Sequence, residues 1–150
     1  MPTISVPFMS RYITATGSKT AVTTIDFTAD DRTEGVAEGE LAKLTPQLRR
    51  YADGQKIVFD VVLDPSGTPF QRQVWAMMRQ IPYGETWTYG QLAQAIGNPK
   101  AVRAVGQACH RNPCAPVVPC HRVVASNGLG GYYGGLDMKR FLLEFEKKGR

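Results

Sequence analysis

Thr88-Tyr89-Gly90-Gln91-Leu92-Ala93-Gln94-Ala95-Ile96-Gly97-Asn98-Pro99-Lys100 reads as a helix start, a short amphipathic run and a stop. Thr88 with Gln91 three residues on forms a capping box, and Tyr89, Leu92, Ala93 and Ile96 share one helical face. Gly97-Asn98-Pro99 makes a tight turn, and a second helix is predicted from Lys100 to about Arg111. Two short helices across a glycine-containing turn have the form of a helix-turn-helix, a form shared by αα corners that bind nothing. On the second helix Val102, Val105 and Cys109 are assigned to the core, with Arg103, Gln107 and His110 on the other side. Ala101, Ala104, Gly106 and Ala108 keep this helix thin, which suits close approach to a duplex and tight helix packing equally well.

Outward from this pair, Thr68-Pro69-Phe70-Gln71 supplies an N-cap, a first-turn proline and a Gln at N3. The helix it opens carries Phe70, Val74, Met77 and Met78 on its apolar face and ends at Ile81-Pro82-Tyr83-Gly84; a last helix is predicted over Met138–Lys147. The N-terminal part has another period. Residues 3–8, 11–16 and 20–28 are rich in Thr, Val, Ile, Tyr and Phe and read as short strands, with Pro7, Gly17 and Ser18 as breaks. A loop over Asp30–Gly39 follows, then a helix with Leu41, Leu44, Leu48 and Tyr51 at helical spacing, in which Thr45 would cap and Pro46 take the first turn. Ile57–Leu63 reads as a strand, and Asp64-Pro65-Ser66-Gly67 as a linker. The expectation is an α+β chain with a sheet-plus-helix lobe over residues 1–65 and a mainly helical domain over 66–150.

Charge divides at the same place. Residues 1–65 hold seven Lys and Arg against nine Asp and Glu, whereas residues 66–150 hold eleven against four. The basic half points to a polyanionic partner, or to a solvated surface kept for solubility. No apolar run is long enough for a bilayer span, and Met1-Pro2-Thr3-Ile4-Ser5 lacks the pattern of a secretory signal, so a cytoplasmic protein without membrane association is expected. Three cysteines, none in a C-x-x-C pair, and two histidines suggest neither a disulfide framework nor a structural metal.

Cys120 lies in Ala115-Pro116-Val117-Val118-Pro119-Cys120-His121-Arg122-Val123-Val124, with basic neighbours between apolar runs. A cysteine is a nucleophile only as the thiolate, so it needs a cation, a helix N-terminus or a base nearby. Neighbours on a strand face opposite ways, so a direct Cys120–His121 dyad requires a turn at Pro119 or a bridging water. The alternative is a buried small hydrophobe, the reading adopted for Cys109; Cys114 is read as a loop residue.

Pro119-Cys120-His121-Arg122-Val123-Val124 resembles the active-site signature of the methylated-DNA–protein-cysteine methyltransferases, or O6-alkylguanine-DNA alkyltransferases. The similarity runs from about Phe70 to Glu146. It includes Gly97-Asn98-Pro99-Lys100, Arg103-Ala104-Val105-Gly106, Asn112-Pro113 and Gly128-Leu129-Gly130-Gly131-Tyr132. The resemblance implies a ribonuclease H-like N-terminal lobe and a winged-helix-like C-terminal domain. It implies a monomer that binds double-stranded DNA from the minor groove, flips out an alkylated guanine and needs no cofactor. O4-alkylthymine is a second substrate it allows. By the same resemblance Cys120 attacks the alkyl carbon, His121 is base through a water, Glu146 sets its tautomer and Tyr132 donates to O6. Asn112 braces the turn, and the carbonyls of Cys120 and Val123 read the guanine amino group. Arg103 fills the gap left by the base, with Ala101 and Ala104 in the groove. Tyr89, beside Gly90, presses on the target phosphate, and Asn98 and Ser126 touch the backbone.

Two positions depart from the family pattern. Tyr133 stands beside the alkylguanine pocket where many members have a small hydroxyl residue, and Arg111 where a glycine often precedes the Asn. Two other classes compete: a non-enzymatic binder of alkylated bases, which would lack a reactive cysteine, and a cysteine hydrolase, which no second His or oxyanion motif supports.

Overall fold

The computed structural model describes residues 1–150. The chain is of mixed class, with a small antiparallel sheet and five helices. It divides into two compact units, Met1–Ser66 with Pro113–Val117 and Arg150, and Gly67–Asn112 with Val118–Gly149.

In the first unit, β1 (Thr3–Phe8), β2 (Arg11–Gly17) and β3 (Val22–Thr28) pair antiparallel in the order β1-β2-β3. Alternation puts Ile4, Val6, Phe8, Ile13, Ala15, Val22 and Ile25 in the core, where Leu41, Leu44, Leu48 and Tyr51 of α1 (Gly39–Ala52) are also buried. The other face carries hydroxyls joined across strands, Ser5 to Thr14 and Thr14 to Thr28, each at 2.7 Å. Pro7 does not break β1, which runs to Phe8, because an edge strand tolerates a missing N–H.

Three expectations fail. Thr45 is not a cap: α1 begins six residues earlier, and Pro46 sits inside it. Gly39 makes that start possible, since at φ +54° a side chain would run into the Lys19 carbonyl that accepts from Glu40 N. Ile57–Leu63 is not a strand, although its exposure alternates; only Leu63 forms a bridge, to Val22. Side chains of α1 take over from a ladder, Gln47 bonding the N–H and carbonyl of Asp60 and Glu40 accepting from Val62 N. Val102 is 41% exposed rather than in the core, because the second helix begins only there.

The second unit contains α2 (Pro69–Met78), α3 (Tyr89–Ala95), α4 (Val102–His110) and α5 (Leu136–Lys147). Complete capping boxes open α2 at Thr68 and α3 at Thr88. Leu92, Ala93, Val105 and Ala108 are buried between α3, α4 and α2, and Trp75 Nε1 donates to Ala108 O at 2.8 Å, fixing α2 to α4. A two-residue parallel pair, β4 (Trp87–Thr88) with β5 (Val123–Val124), ties the start of α3 to the segment that follows Cys120. The last helix starts two residues before the expected Met138.

Candidate active site

The chain around Cys120 is not a strand. Cys120–Arg122 forms one 3-10 turn directly after Pro119, which separates the three side chains by about a third of a turn each. Asn112 braces this turn by donating from Nδ2 to Val118 O at 2.7 Å.

Cys120 is 3% exposed and lines a cavity of about 590 Å³. The rest of the wall comes from Tyr89, from Arg103, Gly106, Gln107, Cys109, His110 and Arg111 on or next to α4, and from Gly131, Tyr132 and Tyr133. Burial pushes the Cys120 thiol up to about 11, against the opposing pull of side-chain hydrogen bonds from Asn112 and Tyr132 and the charge of Lys139. At neutral pH the resting group is therefore a thiol, and a base must take its proton.

His121, fully buried, turns to α5. Its Nε2 donates to Glu146 Oε2 at 2.6 Å, and Arg122 donates to the same carboxylate from Nε at 2.8 Å and Nη2 at 3.1 Å. Burial alone would raise the Glu146 carboxyl, but His121 and Arg122 outweigh it and hold it well below the usual carboxylate range. His121 is held below its ordinary range by burial, with Arg122 and Lys139 adding to that and Glu146 opposing. With Nε2 engaged, the second ring nitrogen, Nδ1, is buried without a protein hydrogen-bond partner and is the available proton acceptor.

Lys139 was not foreseen. It is fully buried on α5, and Nζ donates to Val123 O at 2.6 Å and Gly131 O at 2.9 Å, with the Tyr89 ring 5.9 Å away. Burial lowers its pKa. The ammonium thus ties β5 to the glycine-rich loop that carries Tyr132, while placing positive charge near the thiol. Lys139, Leu142 and Glu146 fall at i, i+3 and i+7, so a helical stripe containing both charges was the signal available in the sequence.

The remaining site residues divide into two groups. Tyr132 is buried and packs its ring 4.9 Å from that of the partly exposed Tyr133; Val123 is fully buried. Tyr89 and Gly90 open α3, and Tyr89 Oη donates to Gly131 O at 3.4 Å. Ala101, partly exposed, caps α4; Arg103 and Ala104 are exposed on it, and Asn98 and Ser126 are exposed in loops. Cys109 is buried with Sγ 3.5 Å from Met78 Sδ, and also contributes to the cavity wall. Burial pushes its thiol up to about 12.

Residues 69–148 match the profile described as 6-O-methylguanine DNA methyltransferase, DNA binding domain. A methylated-DNA–protein-cysteine methyltransferase of Methanosarcina acetivorans is 58% identical over 101 residues, 67% of this chain and 65% of that protein. The match thus spans just under two thirds of that relative's length. One from Mycobacterium tuberculosis is 51% identical over 110 residues, 73% of this chain and 67% of that protein. Among solved structures, Mycobacterium tuberculosis OGT in complex with DNA superposes with a TM-score of 0.82 at 39% identity, covering 97% of this chain and 92% of the other.

Proposed function

The chain belongs to the methylated-DNA–protein-cysteine methyltransferase family, and from that premise we propose that it repairs DNA by moving the alkyl group of O6-alkylguanine onto its own Cys120. The observation that carries this reading is a buried thiol on a cavity wall, one residue from a buried His121–Glu146 pair whose Nδ1 is open to accept a proton.

In the proposed step the Cys120 proton passes to His121 Nδ1 through a water. The sulfur attacks the alkyl carbon, the carbon–O6 bond breaks, and the Tyr132 hydroxyl bonds O6 as negative charge develops there. The proton taken by His121 is returned through water to the guanine anion, which restores guanine and neutral His121, and Cys120 is left as a thioether, so each molecule acts once. No cofactor enters, because the DNA supplies the group.

The damaged base reaches Cys120 by flipping out of a duplex approached from its minor groove. Arg103 fills the vacated space, with Ala101 and Ala104 against the groove. Tyr89 and Gly90 lie at the target phosphate, and Asn98 and Ser126 at the backbone. Asn112 holds the turn, while Val123 and Tyr133 border the base and alkyl group. The exposed, cationic side of α4 supports this assignment. We read the first unit as ribonuclease H-like and the second as winged-helix-like, the latter on the α3–turn–α4 pair beside β4–β5. A cytoplasmic monomer completes the proposal; no helix is long and apolar enough to cross a membrane.

The test is to mix the protein with duplex DNA carrying O6-methylguanine and weigh the intact chain. One added methyl on Cys120, saturating at one per molecule and absent in Cys120→Ala, is expected. Tight binding without added mass would instead make the protein a non-enzymatic damage binder, and repeated turnover would exclude both readings. Arg103→Ala should slow transfer from duplex DNA more than from the free alkylated base, which needs no flipping; equal losses would remove Arg103 from that role.

A further inference from the structure

We propose that Arg122 is a positioning residue for the transfer step: by occupying both oxygens of Glu146 it keeps the His121 imidazole neutral and able to accept the thiol proton. The inference rests on the alkyl-transfer reading above and adds a residue to it.

A buried imidazole next to a lone carboxylate favours the imidazolium, because an opposite charge at hydrogen-bond distance stabilises the charged form. His121 as an imidazolium would carry protons on both nitrogens and could accept none. Burial disfavours that cation most, and Arg122 adds to it by geometry. Nε and Nη2 grip the two carboxylate oxygens, and Nη1 is pinned by Ile81 O at 2.7 Å. The guanidinium carbon lies 5.5 Å from the centre of the Tyr83 ring. Arg122 is 6% exposed, so its charge acts with little screening by solvent and opposes that of Glu146. Glu146 is left able to fix the Nε2–H tautomer without converting the ring into a cation.

The charged groups facing His121 are Glu146 and Lys139 from α5 and Arg122 from the 3-10 turn; Lys139 acts in the same sense as Arg122, and Glu146 opposes both. Tyr83 faces Glu146 and Arg122 rather than the ring. The proton relay itself balances within the protein, one proton leaving Cys120 Sγ and arriving at His121 Nδ1.

The chain has only two histidines, buried His121 and exposed His110, so imidazole NMR titration without DNA resolves them. Wild-type His121 should stay neutral, protonated on Nε2, to below the ordinary value of about 6.5. In Arg122→Met its midpoint should rise by about one pH unit or more, and Arg122→Lys should recover part of the difference. With both charges removed, in Arg122→Met combined with Glu146→Gln, the midpoint should return to the wild-type position or below. The acid limb of single-turnover transfer should move with the midpoint in Arg122→Met. An unmoved His121 midpoint in folded Arg122→Met overturns the proposal, as does a wild-type His121 already cationic at pH 7, which settles the matter even where the variants fail to fold. If His121 titrates as expected but wild-type Cys120 gains no mass from alkylated DNA, the transfer reading fails instead.

Discussion

Lys139 shows how a charge can be hidden in a sequence. A lysine in a charged C-terminal helix reads as solvated surface, yet its ammonium is fully buried on two carbonyls. Removing it in Lys139→Met leaves the buried Val123 O short of a donor, a loss of about 1–3 kcal/mol, leaves Gly131 O with the bond from Tyr89 Oη, and withdraws positive charge from the thiol. Single-turnover transfer should slow by about tenfold or more, the effect of a barrier raised by roughly 1.4 kcal/mol, while duplex binding by titration stays near the wild-type value. Loss of binding alone would move Lys139 from the chemistry to the DNA surface. Cys120 and His121 were legible because the reactive types stand side by side in a motif. Arg122 was visible as a basic neighbour, but its grip on Glu146 was not, since that contact joins residues 24 apart in the chain. Glu146 itself was reached by resemblance; only its place on the stripe with Leu142 separates it from Glu144, which is exposed.

At the scale of elements, the capping boxes were readable because both of their bonds lie within four residues. Thr88→Ala should cost about 1 kcal/mol, read from the urea midpoint, with little change in transfer per folded molecule. Gly130→Ala should behave differently. Its φ of +72° disfavours a side chain, and a Cβ there would lie 2.8 Å from Tyr89 Oη, so Tyr89 must swing away from the loop. Transfer from duplex DNA should fall further than the stability loss explains; an unchanged rate in the folded variant would mean that Tyr89 is not held by this loop for function. The misreadings share one cause. Ile57–Leu63 has the period of a strand, but whether it pairs depends on Gln47 and Glu40, side chains of a helix already past. Pro46 looked like a helix start because sequence rules place proline there, whereas the packing of Leu41 and Leu44 carries α1 past it.

For the whole molecule, the division of charge predicts a division in behaviour. Transfer from duplex DNA at sub-saturating protein should fall steeply and linearly on a log–log salt plot, whereas transfer from the free base should hardly respond. Acid should weaken the fold in two stages. His121 is held below its ordinary range, so on acidification the unfolded chain takes up its proton first; the stability from neutral His121 is present above about pH 6.5 and is lost as pH falls through and below that value. Glu146 is also depressed, so its contribution is present above about pH 4.3 and is lost as pH falls further. Thermal melts should show the first decline in wild type and a flatter profile over that range in His121→Gln. An equal slope in both would place the acid sensitivity elsewhere.

All three thiols are buried, and the two on the cavity wall are held protonated by that burial. A buried sulfur held as the thiol is chemically quiet toward reagents from cellular aldehydes to peroxides. The folded protein should therefore leave an aromatic disulfide reagent almost colourless over a period in which the denatured chain releases its three equivalents. A single fast equivalent from the folded form would mean that Cys120 is already armed. In the proposed transfer, where the thiol is consumed, such reticence keeps Cys120 available for the alkylated base.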